Sequence, residues 1–337
     1  MSVDPLHAEI AACVTGQPPS RSTVDALALR LYAWQIEHNP TYAAIAAGAR
    51  PRGVAEIPPV PVPLFQELIL ASFPAHKAEK IFLTSGTTGS RRGRHYQYNT
   101  LLYDEAAPLA FRRRVGPSPQ RICSLCPSEP QSSLGHMIAR LGSPVWQGFD
   151  SQNGVSPETW AVLSRGPVFL AATAFALDAL LGIDGGVELD VSSLVMVTGG
   201  FKGRQVRLDS EALYAELPAR FGAPRVVGEY GMTELSSQLW TEPVRAGARP
   251  GPFVAPPWLR VYAADPVSGE PTEGVGVLRF VDLLNVWSVL AIETLDLGEV
   301  EAHPGGDRVV LHGRAAGADS RGCSLRAEDF LRRVPTE

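Results

Sequence analysis

Apolar positions follow two rhythms along this chain, and each predicts a different element. In residues 5–48, Val24, Leu27, Leu29, Leu31 and Trp34 keep a helical spacing that stops at Asn39-Pro40. Residues 51–63 hold five prolines and predict a rigid extended connector. A short apolar helix is expected over 64–73. Next comes a strand over 80–84 that runs straight into a glycine turn.

Further on, strands and helices alternate. Residues 121–126, 168–171, 193–198 and 225–228 predict strands, and residues 175–182 and 210–221 predict helices. Such alternation argues for an α/β sheet with parallel strands buried between helices. From Trp258 the texture changes to short strands with turns over 259–263, 276–280 and 309–312, which fits a small β subdomain. The expected organisation is a helical extension over 1–50, an α/β core over 51–257, a β subdomain over 258–314 and a tail over 315–337. No repeat or low-complexity tract interrupts it.

Composition sharpens this picture mainly by exclusion. The 337 residues are 45% hydrophobic and 19% charged, an ordinary globular balance that excludes disorder, collagen and coiled coil. Thirty Lys and Arg against thirty-five Asp and Glu give a net charge of −5, without the basic stripe a nucleic-acid partner requires. The four cysteines, Cys13, Cys123, Cys126 and Cys323, are too sparse for a disulfide scaffold. The start of the chain lacks the basic and apolar regions of a signal peptide. Asp178 and Thr173 interrupt its most apolar stretch, residues 166–183, so no membrane span is expected. A cytoplasmic protein is the expectation.

The candidate chemistry sits at strand ends. Thr84-Ser85-Gly86-Thr87-Thr88-Gly89-Ser90 follows an apolar strand. Its glycines permit a tight turn, while its hydroxyls and backbone N–H groups make an anion cradle suited to a polyphosphate. It is no Walker A loop, since no Gly-Lys-Ser/Thr follows; the plain alternative is a solvated turn. Gly228-Glu229-Tyr230-Gly231-Met232-Thr233-Glu234 offers an aromatic face for a base, a hydroxyl, and a hard carboxylate of the kind Mg²⁺ takes beside phosphates. Thr198-Gly199-Gly200 lets a ligand approach the backbone. Asp296 and Gly313-Arg314 complete the set, with a strand-end acid and a surface arginine as their plain readings.

In their order and spacing these motifs resemble the adenylate-forming superfamily of acyl-CoA synthetases and adenylation domains. The family's Ser/Thr/Gly phosphate loop matches Thr84–Ser90, and its Tyr-Gly-x-Thr-Glu motif matches Tyr230–Glu234. Its ribose-binding aspartate matches Asp296, and its Gly-Arg hinge matches Gly313-Arg314. The resemblance covers about residues 50–335. It is narrowest to LuxE-type acyl-protein synthetases, through the proline connector, Ser132-Ser133-Leu134, residues 198–204 and Arg321-Gly322-Cys323-Ser324-Leu325.

The resemblance implies an α/β fold equivalent to the family's large N-terminal domain, with sheets flanked by helices and a C-terminal lid domain missing or vestigial. It implies that Thr84, Ser85, Gly86, Thr87, Thr88 and Gly89 hold the phosphates of ATP. Tyr230 would stack on adenine against Gly199 and Gly200, and Asp296 would grip the ribose with Arg314 nearby. Thr233 would contact phosphate or the substrate carboxylate, and Glu234 would bind Mg²⁺. His136 and the stretch 172–177 would serve the acyl pocket, and Cys323 would carry the acyl group.

A carboxylic (fatty or aryl) acid is the implied substrate, with an acyl reductase or acyl carrier protein as partner. Two other readings stay open: direct loading of coenzyme A or a carrier protein, and a catalytically silent nucleotide binder. Two departures stand out. Arg91, Arg92 and Arg94 replace the lysine many members carry after the phosphate loop, and no lysine follows Lys202, so the family's catalytic lid lysine has no counterpart. Cys123-x-x-Cys126 reads as two packed thiols, since no second pair completes a metal site.

Overall fold

Caps explain how the N-terminal segment breaks into helices. The computed structural model describes residues 4–85, 91–150, 152–199 and 208–315. Helix Pro5–Thr15 is capped by Asp4, whose carboxylate accepts from Leu6 N. Helix Arg21–His38 is capped by Ser20, accepting from Thr23 N. Asn39 closes this helix and caps the next, Pro40–Ala46, by accepting from Tyr42 N. Proline fits at a first helical position because its missing N–H is not needed there. Asn39-Pro40 therefore ends one helix and starts another.

The chain forms two compact units. One comprises the described residues up to Ala106, Met232–Ser237, and those from Val254 onward; the other comprises Ala107–Gly231 with Gln238–Phe253.

In the first unit, the antiparallel strands Leu259–Ala264, Gly276–Asp282, Ala291–Glu301 and Arg308–Arg314 lie side by side in that order. The proline connector is not merely a spacer. Val60 and Pro61 pair in parallel with Ile292 and Glu293. Ala291–Glu301 escapes an apolar-pattern reading because Glu293 lies within it. That buried carboxylate is held by Arg279 Nε at 2.8 Å and Nη2 at 2.6 Å from the neighbouring strand. A separate hairpin joins Lys80–Leu83 to Arg94–Gln97, pairing Leu83 with Arg94 at its loop end.

The second unit holds parallel strands in the order Val145–Gln147, Ile122–Leu125, Phe169–Thr173, Leu194–Thr198 and Arg225–Tyr230. Side chains alternate across the sheet. Cys123, Leu125, Leu170, Ala172, Val195 and Val197 join the core with Leu177, Leu213 and Phe221 from the helices Ala174–Leu181 and Ser210–Phe221. On the opposite face, Phe111 of helix Leu101–Arg114 packs edge-on against Phe169 and Trp240. Burial on both faces is why the inner strands Ile122–Leu125, Phe169–Thr173 and Leu194–Thr198 read as continuous apolar runs. Helices interleaved with parallel strands leave the strands' C-terminal ends as the place where ligands bind such sheets.

Candidate functional site

In the first unit, the hydroxyl-rich motif leaves the hairpin through a clasp. Thr84 N donates to Gly93 O at 3.0 Å, and Gly93 N donates to Thr84 Oγ1 at 2.8 Å. Arg92 folds back over the same place, giving Nε to Thr84 O at 2.5 Å and Nη2 to Leu83 O at 3.2 Å. Arg91 pairs with Glu67 at 2.8 Å. Two of the three arginines that stand in place of the family's lysine, Arg91 and Arg92, are thus engaged by protein groups. Thr84 is half-buried and Ser85 exposed. Gly86, Thr87, Thr88 and Gly89 lie outside the described residues, as do Gly200 and Cys323.

Glu234 comes to this clasp from far along the chain. A Cβ added at Gly93 would stand 2.9 Å from Thr84 Cγ2 and 3.5 Å from Glu234 Oε1. The glycine therefore leaves room for a carboxylate beside a hydroxyl, which matches the hard oxygen set of a phosphate-bound divalent cation. Glu234 is buried and Thr233 half-buried.

Three buried residues hold this segment, and none belongs to a motif. His95 Nδ1 donates to Thr233 O at 2.7 Å, and its Nε2 accepts from Gln97 Nε2 at 3.1 Å. This pattern fixes the neutral ring with its proton on Nδ1. Burial pushes the His95 pKa down to about 4. Asn285 Nδ2 donates to Glu234 O at 2.9 Å. Fully buried Asp282 accepts from Ser236 N, Ser237 N, Ser237 Oγ and Leu284 N. Burial raises the Asp282 pKa, against the pull of these bonds.

Asp296 lies inside strand Ala291–Glu301 rather than at a strand end, opposite Arg314 in the ladder. Arg314 Nε donates to Asp296 Oδ1 at 3.1 Å. The acid and arginine expected to share the ribose do meet.

In the second unit, Thr173, Thr198 and Glu229 stand in register on adjacent strands. Gly199 follows with φ +67°, where a glycine costs nothing. Tyr230 is half-buried, its ring 6.0 Å from that of Phe253. His136 is half-buried on helix Ser133–Leu141, whose cap Ser132 accepts from Gly135 N.

The stretch expected to serve the acyl pocket is mostly core. Ala172, Ala174, Ala176 and Leu177 are buried in the hydrophobic cluster, while Thr173 and Phe175 are half exposed. Cys123 and Cys126 are also buried; burial pushes the Cys123 thiol up to about 12 and the Cys126 thiol well above its ordinary value. Among the described residues no cluster could hold a metal through three or more His, Cys, Asp or Glu side chains, and no helix is long and apolar enough to cross a membrane.

The fold is that of the large N-terminal domain of adenylate-forming ligases. The chain is similar to a 2-hydroxyisobutyryl-CoA ligase solved with 2-HIB-AMP and CoA in the thioesterification state: TM-score 0.60 and 15% identity over 87% of this chain and 68% of that one. It is also similar to the ATP-bound RpMatB-BxBclM chimera B1, at TM-score 0.50 and 17% identity over 72% and 49% of the two chains. ATP-bound MatB from Rhodopseudomonas palustris gives TM-score 0.49 and 17% identity over the same shares. The chain spans about half the length of the two MatB proteins. No protein-family model matches the sequence. No curated protein matches it either.

Proposed function

We propose that this protein activates a carboxylic acid with ATP and passes the acyl group to a thiol. A carboxylate oxygen attacks the α-phosphorus and pyrophosphate leaves; a thiol sulfur then attacks the acyl carbon and AMP leaves. The observation that carries the proposal is the meeting of Thr84 and Glu234 at Gly93, two motifs far apart in sequence that the adenylate-forming fold brings to one clasp. In this reading Thr84 and the hydroxyls after it bind phosphate, Tyr230 stacks on the base, and Asp296 with Arg314 receives the ribose. Thr233 orients the reacting carboxylate and His136 borders the acyl group. Glu234 would hold Mg²⁺, which supplies charge neutralisation as pyrophosphate departs.

The narrower proposal is an acyl-protein synthetase of the LuxE type, with Cys323 as acyl carrier and an acyl reductase or a carrier protein as recipient. Carboxylate-dependent ATP–pyrophosphate exchange over acids from benzoate-like to long fatty chains tests the activation step. No exchange with any acid, or normal exchange in a folded Glu234→Ala variant, removes it. Intact-mass analysis after ATP, Mg²⁺ and the active acid tests the carrier. A hydroxylamine-labile adduct that Cys323→Ser loses, while exchange persists, supports the acyl-protein reading. Acylation of coenzyme A at full rate by both forms, without the adduct, replaces it by direct transfer.

A further inference from the structure

Glu229 is a buried acid in a place where packing alone would favour an apolar side chain. It is 4% exposed at the C-terminal end of its strand, on the sheet face opposite the one that carries the main core. Thr198 stands beside it on one neighbouring strand and Trp240 opposite it on the other. The Thr198 hydroxyl donates to Glu229 Oε2. Oε1 lies under the next turn, where a Cβ on Gly231 would come 2.6 Å from it. Among the described residues no cation pairs with Glu229. Its charge acts on the buried Cys126 thiol, and the Trp240 side chain is buried.

Burial raises the Glu229 pKa to about 7, with the Thr198 bond pulling the other way. A buried carboxyl without a basic partner costs stability, so its two contacts need another account. One contact ties two strands together; the other fills the space beneath the residue that follows Tyr230. With the carboxyl in this place a side chain at Gly231 would have to displace it, so the glycine and the carboxyl share the space at the turn.

We infer that Glu229 is a positioning residue for Tyr230: bonded to Thr198 and wedged beneath Gly231, it fixes the direction in which the chain leaves the sheet and so the plane of the tyrosine ring. The inference rests on the reading of Tyr230 as the stacking platform for the nucleotide base. A carboxamide can accept from Thr198 and occupy the same space, so Glu229→Gln is the conservative variant and Glu229→Ala the removal.

The test combines hydrogen–deuterium exchange of the peptide covering residues 228–233 with calorimetric ATP binding, on the full chain. Glu229→Ala should quicken exchange in that peptide and raise the Kd for ATP about tenfold. Glu229→Gln should bring both back to within about twofold of wild type, and the KM for the carboxylate should move less than about threefold in either variant. If Glu229→Ala does not fold, Thr198→Val, which removes the hydroxyl and keeps the shape, should shift exchange and Kd the same way. Wild-type exchange and Kd in Glu229→Ala or in Thr198→Val overturn the inference, as does a Gln variant as impaired as Ala. Absence of ATP binding by the wild type overturns the nucleotide reading alone, and the exchange data then decide the positioning claim.

Discussion

Mild acid should loosen the Thr233–Glu234 segment through His95. The ring is buried, its Nδ1–H is committed to Thr233 O and its Nε2 accepts from Gln97. Protonation would point a second N–H at another donor inside the protein. Burial accordingly holds the native pKa at about 4, against 6.5 for an unperturbed histidine. Between these values the unfolded chain binds a proton that the native state refuses, so stability rises with pH in that window. The contribution is present above 6.5 and is lost as pH falls toward 4.

From about pH 7 to about pH 5 the loss comes to about 2 kcal/mol, at 1.36 kcal/mol per pKa unit. Glu229 shifts in the opposite direction, because its raised pKa makes the native state the stronger proton binder. The assay must therefore be differential. Urea unfolding of wild type and His95→Gln at the two pH values isolates the histidine, since the other groups cancel. Glutamine offers a donor and an acceptor and does not titrate. The wild type should lose about 2 kcal/mol more than the variant on acidification. Equal pH dependence in the two proteins would refute the reasoning.

Three other perturbations follow from the same geometry. Asp282→Ala removes the acceptor of four buried donors, of which only Ser236 N keeps a second acceptor, Asn285 Oδ1, and should cost about 3–5 kcal/mol in urea unfolding, whereas Asp282→Asn, which keeps an acceptor, should cost less. Gly306→Ala should be severely destabilising, because its Cβ would stand 1.9 Å from Ala255 O at φ +119°; a thermal midpoint unchanged from wild type contradicts this. Asp296→Ala should weaken ATP binding by about 1.5–3 kcal/mol for each hydrogen bond to the carboxylate that is lost, and titration calorimetry reads it directly.

What could be read from sequence divides by the range of the forces involved. Helix Ser210–Phe221 was legible because its signals are local: Asp209 accepts from Ala212 N at one end and Gly222 follows the other. Four of the five parallel strands were legible because burial on both faces leaves a nearly uninterrupted apolar run; Val145–Gln147, exposed or half-buried throughout, was not. Helix Leu101–Arg114 was not, with Pro108 inside it. Strand Ala291–Glu301 was not, since Arg279, which makes a buried glutamate tolerable, is found only when two strands pair.

The site divides in the same way. Thr84, Thr233, Glu234, Tyr230 and Asp296 carry motifs. His95, Asp282 and Asn285 carry none, and their roles arise from bonds such as that of His95 to Thr233, 138 residues away. Glu229 stood within a motif, but only the pairing of its strand with that of Thr198 shows what it holds.

The clasp between Thr84 and Gly93 has an engineering consequence. The groups that close the mouth of this loop belong to Leu83, Thr84, Arg92 and Gly93. All four of these anchors lie outside residues 86–90, so substitutions confined to 86–90 leave the anchoring residues themselves unchanged. A library randomised at those five positions, with Thr84 and Gly93 fixed, keeps the same hairpin anchors in every member. Differences in phosphate handling among its members would then report on loop chemistry rather than on loss of the scaffold.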